Sequence, residues 1–330
     1  MTRKAAELIE LWRGGLRESS HHGHVVIADA SGIVEAWGDP QTTIFPRSSC
    51  KMIQALPLIE SGAADQTGLG TRELALACAS HNGAAIHTHA VDAWLKARGL
   101  SESDLRCGSH MPADKDEAKR LTCSDEAPCQ LHNNCSGKHA GFLTLNQHLR
   151  GGPEYVEYDH PVQQAGLNAF EEVTGLAAKG WGIDGCSAPN FATTVEGLAH
   201  AMASFANPTK GLRGDAQRRL FEAMVTHPEL VAGEGRACTA LMRATKGKAA
   251  VKTGAEAVFV AIIPEQGIGI ALKILDGGTR ASEAAITALL IHLDLLDKDD
   301  PVAQKYLLGK QKNWRGFETG ELRTSAGFPL

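Results

Sequence analysis

Apolar and polar positions alternate in short runs near both ends of the chain, and in its middle they recur every three or four residues. Residues 24–30 (HVVIADA) and 33–37 (IVEAW) are rich in β-branched side chains and are separated by Ser31-Gly32, which predicts a hairpin. Residues 256–263 (EAVFVAII) and 268–275 (IGIALKIL) predict two more strands around Gln266-Gly267. Residues 4–13 fit a short helix or a strand. Helical spacing marks 46–59, 71–79, 87–98, 133–148, 161–174, 195–205, 213–224, a segment running through Arg243, and 280–296. Residues 62–70, 151–160, 181–189 and 227–236 read as loops, 100–135 as a long irregular segment, and the tail from Asp297 as polar without periodicity.

Strands at both ends around a helical middle predict an α+β organisation. An antiparallel sheet drawn from both chain ends, with flanking helices, would occupy 1–45 and 246–330. A mainly helical layer would occupy 46–245, and a site is expected at the seam, where pockets concentrate.

Composition narrows the function. The chain has 330 residues, 43% hydrophobic and 22% charged, enough for a large core. A net charge of −5 offers no field for nucleic acid or an anionic membrane, and 5% aromatic residues give little surface for stacking bases. No apolar run approaches the ~20 residues of a membrane span, and the charged N-terminal stretch lacks a signal-peptide core. A cytoplasmic protein is expected. The eight cysteines are then read as reduced thiols, some of them candidate metal ligands.

In the 46–59 helix, Ser48 and Lys51 lie three residues apart on one face, with Met52, Ile53, Leu56 and Ile59 on the buried side. A serine hydroxyl needs a neighbouring base to attack, and a lysine serves once burial or a nearby cation favours its neutral amine. The same pattern also suits a lysine snorkelling from an ordinary helix. Ser80-His81-Asn82 and Lys252-Thr253-Gly254 follow in order. The three together resemble the S-x-x-K, S-x-N and K-T-G set of serine β-lactamases, penicillin-binding proteins and serine-dependent glutaminases, although here the second motif comes early and the third late. Ser80 would relay a proton to the leaving group, and Lys252 would act through its charge on Lys51 and on a substrate carboxylate. A second cluster, Cys135-x-x-x-His139 with Cys186 beside Asp184, suits zinc by ligand type, and equally suits two buried structural thiols.

Longer motifs sharpen the picture: RSSCK, CASH, CGSHMP, NNCSGKH, GIDGCSAP, HPELVAGEGRACT and VKTGAEA. Together they resemble the Rhizobium etli-type (class 3) L-asparaginases over residues 8–300, nearly the whole chain. The resemblance implies a β-lactamase/penicillin-binding-protein-like fold, a homodimer, and hydrolysis of L-asparagine to L-aspartate and ammonia. It implies two Ser–Lys pairs, Ser48 with Lys51 and Ser80 with Lys252, and a zinc ion held by Cys135, Lys138 and Cys186, with Asp184 nearby. Lys138, Asp184 and Glu234 are the motif residues expected to hold substrate. The alternatives are a serine glutaminase, a β-lactam hydrolase, or a non-catalytic, zinc-stabilised amino-acid-binding protein. Asn134 and Cys50 carry no assigned role.

Overall fold

The structure, a computed structural model, describes residues 4–330. Its strands are β1 (Ala6–Arg13), β2 (Leu16–Asp29), β3 (Gly32–Trp37), β4 (Thr43–Ile44), β5 (Trp181–Ile183), β6 (Pro189–Phe191), β7 (Thr193–Thr194), β8 (Ala250–Gly254), β9 (Val258–Ile263), β10 (Ile268–Ile274), β11 (Lys310–Lys312) and β12 (Glu318–Thr324). The helices used below are α1 (Lys51–Gln54), α2 (Leu56–Glu60), α3 (Ala63–Gln66), α4 (Thr71–Ala77), α5 (Ala85–Ala97), α6 (Lys115–Cys123), α7 (Ser136–Leu149), α8 (Pro161–Thr174), α9 (Val195–Ala206), α10 (Leu212–Thr226), α11 (Pro228–Val231), α12 (Ala237–Ala244) and α13 (Thr279–His292).

The chain divides into two compact units. The first holds the chain up to Ser49, Thr193–Asn207 and Ala240–Leu330. Its antiparallel sheet runs β11-β12-β1-β2-β10-β9-β8, with β3 also paired to β2. Both ends of the chain therefore supply strands to one sheet, as the hydrophobic pattern predicts. All six residues of β9 are buried. Successive strand side chains point to opposite faces, so such a run requires cover on both. Helices α9 and α13 pack on β9 and β10. At Gly269 a Cβ would lie 2.1 Å from the Ala203 nitrogen, so glycine is what lets α9 approach the sheet this closely.

The second unit holds Cys50–Ala192 and Pro208–Thr239 and is mainly helical. Helix α4 packs against α7 and α10, α5 against α7, and α1 against α8. Its apolar interior includes Leu74, Leu76, Val91, Trp94 and Phe170. The Trp94 indole N–H is satisfied by Thr144 Oγ1 at 3.1 Å.

Several local expectations change. Within residues 4–13, Ala6–Arg13 form the strand β1. The single helix expected over 46–59 is three pieces, a 3-10 turn at Arg47–Cys50, then α1, then α2. Pro57 sits in the first turn of α2, where its missing N–H costs nothing, and the break falls just before it at Ala55. The expected loop at 62–70 contains α3, that at 227–236 contains α11, and 181–189 is the β5–β6 hairpin. The irregular 100–135 segment contains α6, capped by Asp114 Oδ1, which accepts the Glu117 N–H at 3.0 Å. The polar tail contributes β12, which pairs with β1 through Leu11↔Leu322. Among the described residues, no helix is long and apolar enough to cross a membrane.

Candidate active site

In the sheet unit, Ser48 lies in the 3-10 turn Arg47–Cys50. The preceding Arg47 adopts φ 55°, a left-handed conformation uncommon for a side chain of this size and a form of strain that concentrates at functional positions. Ser49 closes the turn, its N–H and its hydroxyl both donating to the Pro46 carbonyl at 3.2 and 2.7 Å. The edge strand β8 carries Lys252-Thr253-Gly254. A Cβ on Gly254 would meet the Pro46 oxygen at 2.5 Å and the Ser49 nitrogen at 3.0 Å. The glycine of this motif thus lets β8 press against the Ser48 turn. Lys252 is fully buried, and its Nζ donates to the Thr253 carbonyl at 3.0 Å.

In the helical unit, Lys51 opens α1 and is 1% exposed. Its Nζ donates to Ser80 Oγ at 2.8 Å, to the Ala79 carbonyl, and to Cys135 Sγ at 3.1 Å. The amine is thus held between a hydroxyl, a carbonyl and a sulfur. The loop carrying Ser80 is pinned on two sides: Ser80 N donates to the Val231 carbonyl at 2.8 Å, and His81 N to the Asn134 carbonyl at 3.1 Å. His81 Nδ1 accepts the Gly83 N–H at 3.2 Å, so its proton sits on Nε2, which meets Ser136 Oγ at 3.0 Å. Burial holds the His81 imidazole neutral, well below its ordinary value, and the neighbouring His87 and Lys51 push the same way. His81 is a structural tie between the Ser80 loop and the start of α7.

Helix α7 brings the cysteine cluster together. Asn133 Oδ1 accepts the Cys135 N–H at 2.8 Å, and its amide donates to the Cys107 carbonyl at 2.8 Å, fixing the turn before the helix. Asn134 Oδ1 accepts from Cys135 Sγ at 2.9 Å. A Cβ at Gly137 would lie 2.4 Å from the Leu76 carbonyl, so glycine lets α7 seat against α4. Cys186 is carried by the β5–β6 turn, where Ser187 N donates to the Asp184 carbonyl at 2.9 Å and Ser187 itself is left-handed at φ 71°.

Lys138 Nζ donates to Cys186 Sγ at 3.0 Å, and both residues are buried. The hydrogen-bonding contact with Cys135 drives Cys186 well below the ordinary thiol range, against the opposing effect of burial, with Lys138 adding to it. The same contact, with burial, drives Cys135 up. Burial disfavours the Lys138 ammonium, but the charges of Cys186 and Cys135 outweigh it and Lys138 ends above its ordinary value. His139, also buried, bonds through Nδ1 to the Tyr155 hydroxyl at 2.8 Å.

The remaining candidates are spread more widely. Asp184 is half-buried at the hairpin turn, where its Oδ1 accepts the Gly185 N–H at 2.8 Å. Glu234 is exposed in the loop between α11 and α12. Cys50 is buried and its thiol is pushed up to about 12, chiefly by burial. None of the eight cysteines is in a disulfide. Among the described residues, no group of three or more His, Cys, Asp or Glu side chains is arranged to hold a metal ion. The Cys135–Lys138–Cys186 trio contains only two side chains of those types.

A profile of the family described as L-asparaginase II matches residues 9–324. The chain belongs to that family. As a member of the L-asparaginase II family it is an amidohydrolase. No curated protein gives a significant match. Among solved structures, the fold is similar to the protein Mglu in its native form, at 14% identity and a TM-score of 0.46, covering 88% of this chain and 69% of that one. It is similar also to Mglu in its glutamate form, at 14% identity and a TM-score of 0.46, where the chain spans 62% of that protein's length. A β-lactamase from Mycobacterium bovis matches at 12% identity and a TM-score of 0.45, covering 83% of this chain and 95% of that one. In this L-asparaginase II chain, then, Lys51 and Ser80 are hydrogen-bonded to each other, Cys135 touches both Lys51 and Cys186, and Lys138 is bound to Cys186. The sequence reading did not find Tyr155; nothing in the pattern of the loop at 151–160 singles it out.

Proposed function

We propose that the chain is a serine-dependent L-asparaginase of the Rhizobium etli type (class 3), hydrolysing L-asparagine to L-aspartate and ammonia. The observation that carries this reading is the buried Lys51 amine on the Ser80 hydroxyl at 2.8 Å, in a chain of the L-asparaginase II family. Ser48 attacks the side-chain amide carbon, and Lys51 accepts its proton. Backbone N–H groups at the Ser48 turn stabilise the oxyanion. Ser80, already bonded to Lys51, passes the proton to the departing ammonia, and water then hydrolyses the acyl-enzyme. Lys252 contributes positive charge, favouring the neutral form of Lys51 and attracting the substrate carboxylate. Asp184 and Glu234 are assigned to the α-amine and Lys138 to the α-carboxylate.

Cys135, Lys138 and Cys186 would hold a zinc ion. The donor types fit: two buried sulfurs and a buried lysine nitrogen in contact with Cys186, which would bind only after metal displaces its proton. A bound zinc ion would supply a fixed positive charge beside the substrate's polar groups. The same family resemblance supports a homodimer in the cytoplasm that takes a small-molecule substrate and neither nucleic acid nor membrane.

The deciding experiment is ammonia release from L-asparagine and, in parallel, L-glutamine, for wild type and Ser48→Ala. Release from asparagine, lost in a folded Ser48→Ala protein, is expected. Wild-type-like turnover in that variant sinks the serine mechanism. Comparable or faster release from glutamine moves the protein to the glutaminase reading, because one methylene is worth only about 1–3 kcal/mol of discrimination.

A further inference from the structure

Asn82 ends the Ser80-His81-Asn82 motif, is buried, and has no task in the proposed mechanism. It lies against residues 107–114, which lead into α6, and Asp114 grips it twice. The Asp114 N–H donates to the Asn82 carbonyl at 2.9 Å, and the Asn82 amide Nδ2 donates to Asp114 Oδ2 at 3.1 Å. Asn82 Oδ1 accepts the Ala84 N–H at 3.3 Å, closing the turn that carries the Ser80 loop into α5.

Chemistry fixes this orientation. A carboxylate only accepts and a backbone N–H only donates. Turning the amide over would set its oxygen against Asp114 and its hydrogens against the Ala84 N–H. The second Asp114 oxygen is occupied as well, because Oδ1 accepts the Glu117 N–H at 3.0 Å as the cap of α6. Two glycines make room for the contact. At Gly83, with φ 78°, a Cβ would lie 2.8 Å from Pro112 Cβ. At Gly233, with φ 104°, a Cβ would lie 2.4 Å from Asn82 Cγ and Oδ1. Gly233 precedes Glu234 in its loop. Asn82 therefore sits where residues 107–114, the Ser80 loop and the Glu234 loop converge, all within the helical unit.

We infer that Asn82 and Asp114 are a pair of positioning residues: the grip of Asp114 on Asn82 holds the loop that presents the Ser80 hydroxyl to Lys51. Asn82 is two residues beyond Ser80, so movement at the grip is passed to the hydroxyl through one intervening residue. The inference deepens the proposed function and rests on it only for the kinetic effect.

The test exchanges the two side chains in the full chain. Asn82→Asp opposes two carboxylates, and Asp114→Asn opposes two amides. The double variant reverses the hydrogen bond and keeps an oxygen both for the Ala84 N–H and for the α6 cap. Asp114→Ser keeps a cap for α6 and removes the grip. Each of the three single variants should lose about 10²-fold in kcat for asparagine with KM little changed, the cost of a misplaced group. The double variant should run well above both Asn82→Asp and Asp114→Asn. Wild-type kcat in the single variants, or a double variant no faster than its slower parent, overturns the inference. A second arm needs no substrate: hydrogen exchange at the His81 amide, corrected for intrinsic rates. Protection should fall in the single variants and return in the double one, and equal protection in all of them and wild type overturns the inference. If wild type releases no ammonia, the asparaginase reading fails, and exchange at His81 decides the positioning role by itself.

Discussion

Lys51 is where a side chain's surroundings and its proposed task meet. Its amine has a hydroxyl, a carbonyl and a sulfur as neighbours, in a site that solvent barely reaches. Lys51→Met keeps the stem length and removes the nitrogen. Turnover of asparagine, followed by ammonia release, should fall about 10²–10⁴-fold, the range of a lost general base. Lys51→Arg should not restore it, because a guanidinium does not give up its proton. A different pair of residues sets the acid limit of the fold. His81 and His87 stack with ring centroids 4.5 Å apart, and burial lowers both below the ordinary histidine value. The unfolded chain therefore takes up protons before the folded one does. Stability should be lost as pH falls below about 6.5, at up to about 1.4 kcal/mol per pH unit for each ring, and level off once the folded rings charge. Urea titrations at pH 8 and pH 5.5 check the slope, and His81→Asn should flatten it.

At the scale of elements, α7 shows how a small residue governs a site. The Leu76 carbonyl stands where a Gly137 side chain would begin. Gly137→Ala should cost about 1–3 kcal/mol in urea unfolding despite alanine's better helix propensity, since the clash is with backbone and α7 must shift. The helix carrying Cys135 and Lys138 was legible in the sequence because its turn and apolar period agree. So were α8, the β2–β3 hairpin and the β9–β10 pair, where local preference and burial point the same way. What escaped had weak local signals. Helix α6 is mostly polar, and its only marker is the Asp114 cap three residues before Glu117. Strand β12 has Gly320 and charged residues among its seven, and is a strand because β1 offers it a ladder. The hairpin β5–β6 has only three residues a side. Ser48, Lys51, Ser80, Lys252, Cys135 and Cys186 stand out in the sequence as candidates by type and motif, and Lys138 only through the family resemblance, but their partners do not. That Lys51 meets Ser80 and Cys135, and that His139 is taken by Tyr155, depends on loops whose pairing no periodicity records.

At the scale of the whole molecule, the chain leaves and re-enters its sheet unit, with changes of unit after Ser49, Ala192, Asn207 and Thr239. The pairing at the middle of the sheet joins Val26 to Ala271, and its neighbour β1 closes on β12 only at Leu322. Order of synthesis thus runs against order of assembly. On the ribosome, Val25, Val26 and Ile27 emerge early and must wait for almost the entire chain before β10 arrives to cover them. The helical unit meanwhile has most of its residues in the single stretch Cys50–Ala192 and can begin to organise at once. Non-local pairing is slow because loop closure precedes its reward. In pulsed hydrogen exchange during refolding, amides of α4 and α7 should gain protection before those of β2 and β10. A nascent chain stalled short of Ile268 should carry an uncovered β2 and bind chaperones that recognise extended apolar segments. For this protein the interval between β2 and β10 is a window of exposure, and its length is set by how far apart the two lie in the gene.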